Sequence, residues 1–281
     1  MLMDKRHPSR QRPNLLQKCR AWVHVTALAT LALTSSISHA VTLSDAEAGR
    51  IGRKIWQNEC GRTIAGLTSW NAGENFASLG IGHFIWYPKG QRGPFDESFP
   101  KVVNFISGRG AKLPQFLLAG HEPACPWASR ADFLRASQST EMKQLRQFLA
   151  DTVDLQAHFM VQRLQEALPK MLADAPVSVQ AKIRQKFEKV AGSAQGMYAL
   201  VDYVNFKGEG VLASERYRGE GWGLFQVLEG MQDPSSNSPT KDFAQSAKVV
   251  LNRRVHNSPP ERNESRWLPG WLNRINTYTS D

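Results

Sequence analysis

The stretch Glu59–His83, E-C-G-R-T-I-A-G-L-T-S-W-N-A-G-E-N-F-A-S-L-G-I-G-H, decides how the rest of the chain is read. A helical run enters it and ends in an acid. Gly61 follows, and glycine just past a helix is a common terminator because it takes the left-handed conformation without penalty. From 61 to 87, short apolar runs alternate with Gly, Asn and Ser, the composition of a small β-hairpin. Gly80 and Gly82 flank Ile81, so the backbone there can turn tightly or approach another segment closely.

Upstream, Ser44 and Glu47 have capping-box spacing, which predicts a helix over about 45–58 with Ile51, Ile55 and Trp56 on its apolar face. Downstream, Pro and Gly mark 88–100 as a loop. A short helix is expected over 101–106, and Ser129 and Ser139 or Thr140 can cap two more. Apolar residues from Met142 through Phe148, Val153 and Phe159 to Leu164 recur at helical spacing up to Pro169. Further helices are expected over 178–191, 197–205 and 241–254, with a short final helix around Trp271 and Arg274. The fold class is therefore mainly α with a small β-hairpin region, an α+β chain.

The N-terminus has a separate logic. Lys5, Arg6, Arg10, Arg12, Lys18 and Arg20 stand against Asp4 alone, so the first forty residues carry half of the formal charge of +10. An apolar run, Ala21 to Leu33, follows, and then small residues at Ser38 and Ala40. This is the three-part form of a secretory signal, with cleavage expected after Ala40. The run is short of the ~20 residues a membrane span needs. The expected product is periplasmic or secreted, with no stable membrane span after cleavage. What remains is basic without the dense Lys/Arg clustering of a nucleic-acid binder. In an oxidising compartment Cys60 and Cys125 form either one disulfide or two buried free thiols. Their spacing suits no zinc site, and no metal or other cofactor is indicated.

Three patches carry a family resemblance. The helix-final Glu59 with the closing S-L-G-I-G-H, the run A-L-V-D-Y-V-N-F-K-G-E-G (199–210), and the arginine- and aromatic-rich tail with Arg253, Arg254, Trp271 and Arg274 fall in the order seen in the phage-type lysozymes, glycoside hydrolase family 24. The resemblance implies a lysozyme-like domain over 41–281, with 88–190 as an added helical insertion. It places Glu59 as general acid and Ser78 at the position of a threonine before the glycine turn. The hairpin aspartate of that family has no clean counterpart: Asn71 lies nearest and Glu74 is the nearest acid.

Glycoside hydrolysis with water uses two carboxylates, one to protonate the leaving oxygen and one to act on water or the sugar. A single carboxylate can still protonate the leaving group while a substrate hydroxyl closes an anhydro ring. The expected function is thus an exported muramidase or lytic transglycosylase acting on peptidoglycan; the alternative is a non-catalytic cell-wall or envelope-protein binding module. The candidate catalytic residues are Glu59, Glu74 and Ser78. Asn71, His83, Trp86, Glu209 and Trp222 are candidates for substrate binding, the aromatics by stacking on sugar faces and Glu209 as a cleft-facing acid.

Overall fold

The structure, a computed structural model, describes residues 43–280 except 94, 119–122 and 233–236. The secretory signal expected over 1–40 lies outside the described residues. Among the described residues no helix is long and apolar enough to cross a membrane.

The first helix, α1 (Asp45–Cys60), starts as its sequence predicts. The Glu47 amide donates to Ser44 Oγ at 3.3 Å, and the Ser44 amide donates back to the Glu47 carboxylate at 3.0 Å. The helix stops at Gly61, which takes a φ of 58° and donates its N–H to the Gln57 carbonyl. Glu59 therefore stands in the last turn. Beyond it β1 (Thr68–Ser69), β2 (Ala77–Leu79) and β3 (Phe84–Trp86) form an antiparallel sheet, with Ser78 opposite both Ser69 and Ile85.

Nine α-helices and a two-stranded ribbon follow among the described residues. The helices up to the ribbon are α2 (Phe99–Ser107), α3 (Arg130–Arg135), α4 (Thr140–Asp151), α5 (Val153–Asp174), α6 (Val177–Ala191) and α7 (Ala194–Lys207). The ribbon pairs β4 (Arg216–Tyr217) with β5 (Glu220–Gly221), and α8 (Leu224–Gly230), α9 (Pro239–Asn257) and α10 (Leu268–Asn276) complete the chain. Ser129 and Ser139 cap α3 and α4 through their hydroxyls, as expected. Several boundaries differ: the run expected from Met142 to Leu164 breaks at Thr152 into α4 and α5, the helices expected over 197–205 and 241–254 are longer at both ends, and α5 runs past Pro169 to Asp174. Proline lacks one amide donor, but Leu168, Met171 and Leu172 are buried on either side and keep the last turn packed.

Most of the described residues over 130–190 are helical, and α5 packs against the N-terminal helix. α1 packs on α5 more extensively than on any other element. The contact is close because Gly52 has no side chain: a Cβ there would meet Val153 Cγ1 and Val153 O, each at 2.9 Å. A row of rings lies beside the sheet, with centroid separations of 4.7 Å for Trp86–Phe99, 6.0 Å for Trp86–Trp127 and 5.0 Å for Trp127–Phe133.

Of the two alternatives for Cys60 and Cys125, the disulfide is absent, and only Cys125 is buried. Cys60 and Cys125 are both free thiols, each with its own surroundings. Cys125 is buried and donates to the Trp127 carbonyl, while Cys60 faces His83.

The helix pair sets the first prediction. Gly52→Leu should lower stability by about 2–3 kcal/mol, because overpacking at a closed helix crossing cannot relax. Gly270→Ala, in α10 where a Cβ meets nothing, should raise stability by about 0.5–1 kcal/mol through helix propensity. Urea denaturation of both variants checks the contrast.

Candidate active site

The site is assembled where the end of α1 meets the turn between β2 and β3. That turn, Gly80–His83, is pinned from three sides. The Gly80 amide donates to the Leu67 carbonyl at 2.8 Å. The Ile81 amide donates to Gln156 Oε1 at 3.0 Å, and Gln156, fully buried on α5, is itself fixed by donating to the Leu149 carbonyl at 2.7 Å. Asn205 on α7 donates to the Gly82 carbonyl at 3.2 Å. Gly80 needs to be glycine here, since φ is 69° and a Cβ would collide with the Gln156 amide oxygen. The pinning drives His83 into a left-handed φ of 47°, uncommon for a residue with a side chain.

His83 is thereby aimed at the end of α1. Its Nδ1 lies 3.6 Å from Glu59 Oε2, and its Nε2 lies 3.9 Å from Cys60 Sγ. Glu59 is largely covered, and its other oxygen, Oε1, pairs with Arg274 Nη2 at 2.6 Å. Arg274 belongs to α10 and serves two acids. Its Nε and Nη2 also donate to the two oxygens of Asp202 at 2.7 and 2.8 Å. Asp202 is fully buried on α7 and takes a third bond from the Tyr278 hydroxyl at 2.7 Å. Burial alone would lower the Arg274 pKa, but the carboxylates of Asp202 and then Glu59 outweigh it and hold the guanidinium well above its ordinary range.

Cys60, His83 and Glu59 line up as thiol, imidazole and carboxylate. The thiol is not activated by them. Burial, and then the charge of Glu59, push it up to about 12, and it sits at the C-terminal, negative end of a helix. Cys60 is a protonated neighbour of the site, not its nucleophile.

A wall of alternating cations and rings extends from Arg274. Its guanidinium carbon lies 4.1 Å from the Phe206 ring centre. Lys207 Nζ is 3.9 Å from the centre of Phe206 and 3.3 Å from that of Trp271. Arg254 follows, 5.0 Å from the Trp271 centre and 4.1 Å from that of Trp222. Glu264, in a short turn before α10, accepts from Arg254 at 2.7 and 2.9 Å, from Arg262 at 3.1 Å and from the Tyr217 hydroxyl at 2.8 Å. Burial would raise Glu264, but these bonds and charges overcome it and hold the acid down at about 2.

Of the candidate residues, Glu59 and His83 come together. The others do not join them. Asn71 and Glu74 sit in the β1–β2 loop, where Asn71 Nδ2 donates to Glu74 at 3.2 Å. That loop and the Gly80–His83 turn lie at opposite ends of β2, three residues and so about 10 Å of strand apart. Ser78 is buried in the middle of that strand, 5% exposed. Trp86 is core, not a sugar platform: it is 1% exposed and its indole donates to the Pro123 carbonyl at 3.0 Å. Trp222 belongs to the wall, but Arg254 covers one face and Tyr217 packs against it at 4.4 Å. Glu209 pairs with Lys170 at 2.9 Å. Arg274, Asp202, Asn205, Phe206, Lys207 and Trp271, none of them a candidate from sequence, supply most of what surrounds Glu59.

Two surface depressions, of about 550 and 490 Å³, lie elsewhere: the first is lined by Asp45, Arg50 and Asp154, the second by Gln226, Asp242 and Val249. Neither contains Glu59. The chain matches no protein-family model, no characterised protein and no solved structure.

Two stability measurements probe this network. Asp202→Ala leaves the buried Arg274 with Glu59 as its one carboxylate and the Tyr278 hydroxyl without its acceptor, and should cost about 3–5 kcal/mol, read by chemical denaturation. Glu264 is held below its unfolded value of 4.5, so its contribution is present above that pH and is lost as pH falls toward 2. The wild type should lose roughly 3 kcal/mol over that window from this group, and Glu264→Gln should flatten the acid limb.

Proposed function

We propose that this chain is a lysozyme-like, peptidoglycan-cleaving enzyme that works through one carboxylate, Glu59, as general acid. The observation that carries the reading is the setting of Glu59: a largely covered carboxylate at a helix end, facing an imidazole on a pinned glycine turn, with one oxygen fixed and the other not hydrogen-bonded by its neighbour. Arg274 holds Oε1 at 2.6 Å, whereas His83 stands 3.6 Å from Oε2, beyond hydrogen-bond length. Oε2 is the oxygen that would carry the proton. Arg274 keeps two bonds to Asp202 throughout, so Glu59 can be protonated without leaving the guanidinium unpaired.

Glu74 stands at the far end of the hairpin, and Asp202 is closed off by Arg274 and Tyr278. Among the described residues no second carboxylate stands free beside Glu59, which favours the anhydro route over two-carboxylate hydrolysis. Glu59 gives its proton to the glycosidic oxygen, and the C6 hydroxyl of the same sugar attacks C1. The proton of that hydroxyl returns to Glu59, and no water is consumed. The ion pair between Glu59 and Arg274 supports a second reading, in which the same surface binds cell-wall glycan without cutting it.

Digestion of purified peptidoglycan decides between them. The chain should release soluble muropeptides with anhydro ends, and Glu59→Gln should lower release at least a hundredfold, the scale of a lost general acid. Reducing ends would instead mark hydrolysis. Sedimentation with the polymer and no release from either protein would leave only the binding reading.

A further inference from the structure

The wall beside Glu59 contains one group that the cleavage chemistry does not use. Lys207 is 8% exposed, at the end of α7. Among the described residues its Nζ has neither a hydrogen-bond acceptor nor an ion-pair partner, and its near contacts are the faces of Phe206 and Trp271. Its nitrogen is not fully sealed from solvent, but an ammonium in so covered a setting without an acceptor is costly, and ring faces offset only part of that cost.

The charges around it explain the predicament. From α9, Arg254 faces it, and from α10, Arg274. Glu264, in the turn before α10, and Glu59, from α1, are the acids in range. Both acids are already committed. Glu264 is shared by Arg254 and Arg262, and Glu59 with Asp202 by Arg274. Three arginines and three carboxylates balance, and Lys207 is left over.

We propose that Lys207 is the receptor for a carboxylate carried by the sugar residue bound next to Glu59, and that it takes up a proton as that carboxylate arrives. The ligand class is an acidic amino sugar, and the proposal rests on the glycan reading of the Glu59 site. A carboxylate would supply the acceptor that the amine lacks and the negative charge that balances it once it is protonated. Trp271, half-buried beside the amine, offers part of its ring to the same ligand. Burial, and then the charges of Arg254 and Arg274, lower the amine to about 6, so with no anion beside it the amine is mostly uncharged at neutral pH. An anion at Nζ raises it again, and the proton comes from solvent. Affinity for the acidic sugar should thus be flat below about pH 6 and fall up to tenfold per unit above it. The carboxylate can belong to the lactyl group of the sugar or to a peptide attached there, and both present the same chemistry to the amine.

Titration calorimetry tests this on the purified chain. The probes are N-acetylmuramic acid, with a free lactyl carboxylate, N-acetylmuramoyl-L-alanyl-D-isoglutamine, whose carboxylate lies on the peptide, and neutral N-acetylglucosamine. Each is titrated at pH 7 in two buffers of different ionisation enthalpy. One of the acidic probes, and not N-acetylglucosamine, should bind with uptake of close to one proton, and which one it is identifies the source of the carboxylate. Lys207→Met should abolish the uptake and weaken that probe at least tenfold while leaving the neutral sugar unchanged. Should that variant not fold, the pH dependence of the wild-type affinity carries the test alone.

Binding of acidic and neutral probes without proton uptake, no binding of any probe, or an unaltered Lys207→Met would overturn the proposal. Cleavage of peptidoglycan without proton-linked binding would sink the Lys207 site and leave the glycosidase reading standing. Proton-linked binding without cleavage would do the reverse.

Discussion

Everything around Glu59 depends on one buried ion pair, Asp202 with Arg274. Asp202 sits on α7 with no exposure, and an isolated carboxylate there would be untenable. Arg274 and Tyr278 satisfy it with three hydrogen bonds, which fixes the C-terminal segment against α7. The same guanidinium then reaches Glu59. A structural ion pair thus becomes the arm that positions a candidate catalytic acid. Replacing such a pair by apolar groups can be neutral for stability, so its presence is better explained by the position it gives Glu59 than by any net stabilisation.

The glycine turn solves a different problem. Two- and three-residue strands cannot fix a turn by their own ladders. Side-chain amides from two helices, Gln156 and Asn205, take the backbone groups that a longer sheet would have paired. His83 is delivered to Glu59 by those helices as much as by the hairpin, and for that reason α5, expected as part of an insertion, is integral to the site.

Local chemistry was legible in the sequence. The Ser44–Glu47 box, the Gly61 stop, the hairpin and the Ser129 and Ser139 caps are decided by neighbours within a few residues, and each stands where it was expected. The fate of single aromatics was not. Strands this short carry too little alternation to say which face is inward, and Trp86 lies inward with Phe84. The partner of Glu59 was hidden for another reason, because the ion pair joins residues near opposite ends of the described chain. A signal for it existed: Asp202 interrupts the apolar run Ala199-Leu200-Val201 before Tyr203-Val204, and a buried acid demands a buried cation. Lys207, directly after Phe206 in the same helix, was the other anomaly of that kind.

The meeting of α1 with α10 has a consequence for assembly. The carboxylate is made long before its guanidinium, since Glu59 lies on α1 and Arg274 on α10. Most of the core can collapse before Arg274 exists, but Asp202 cannot be satisfied and Glu59 cannot be held until the final helix docks. Partial chains and chains clipped before α10 would retain much of the apolar packing and lack an ordered site. Docking of α10 is thereby built into the geometry as the step that orders the Glu59 carboxylate.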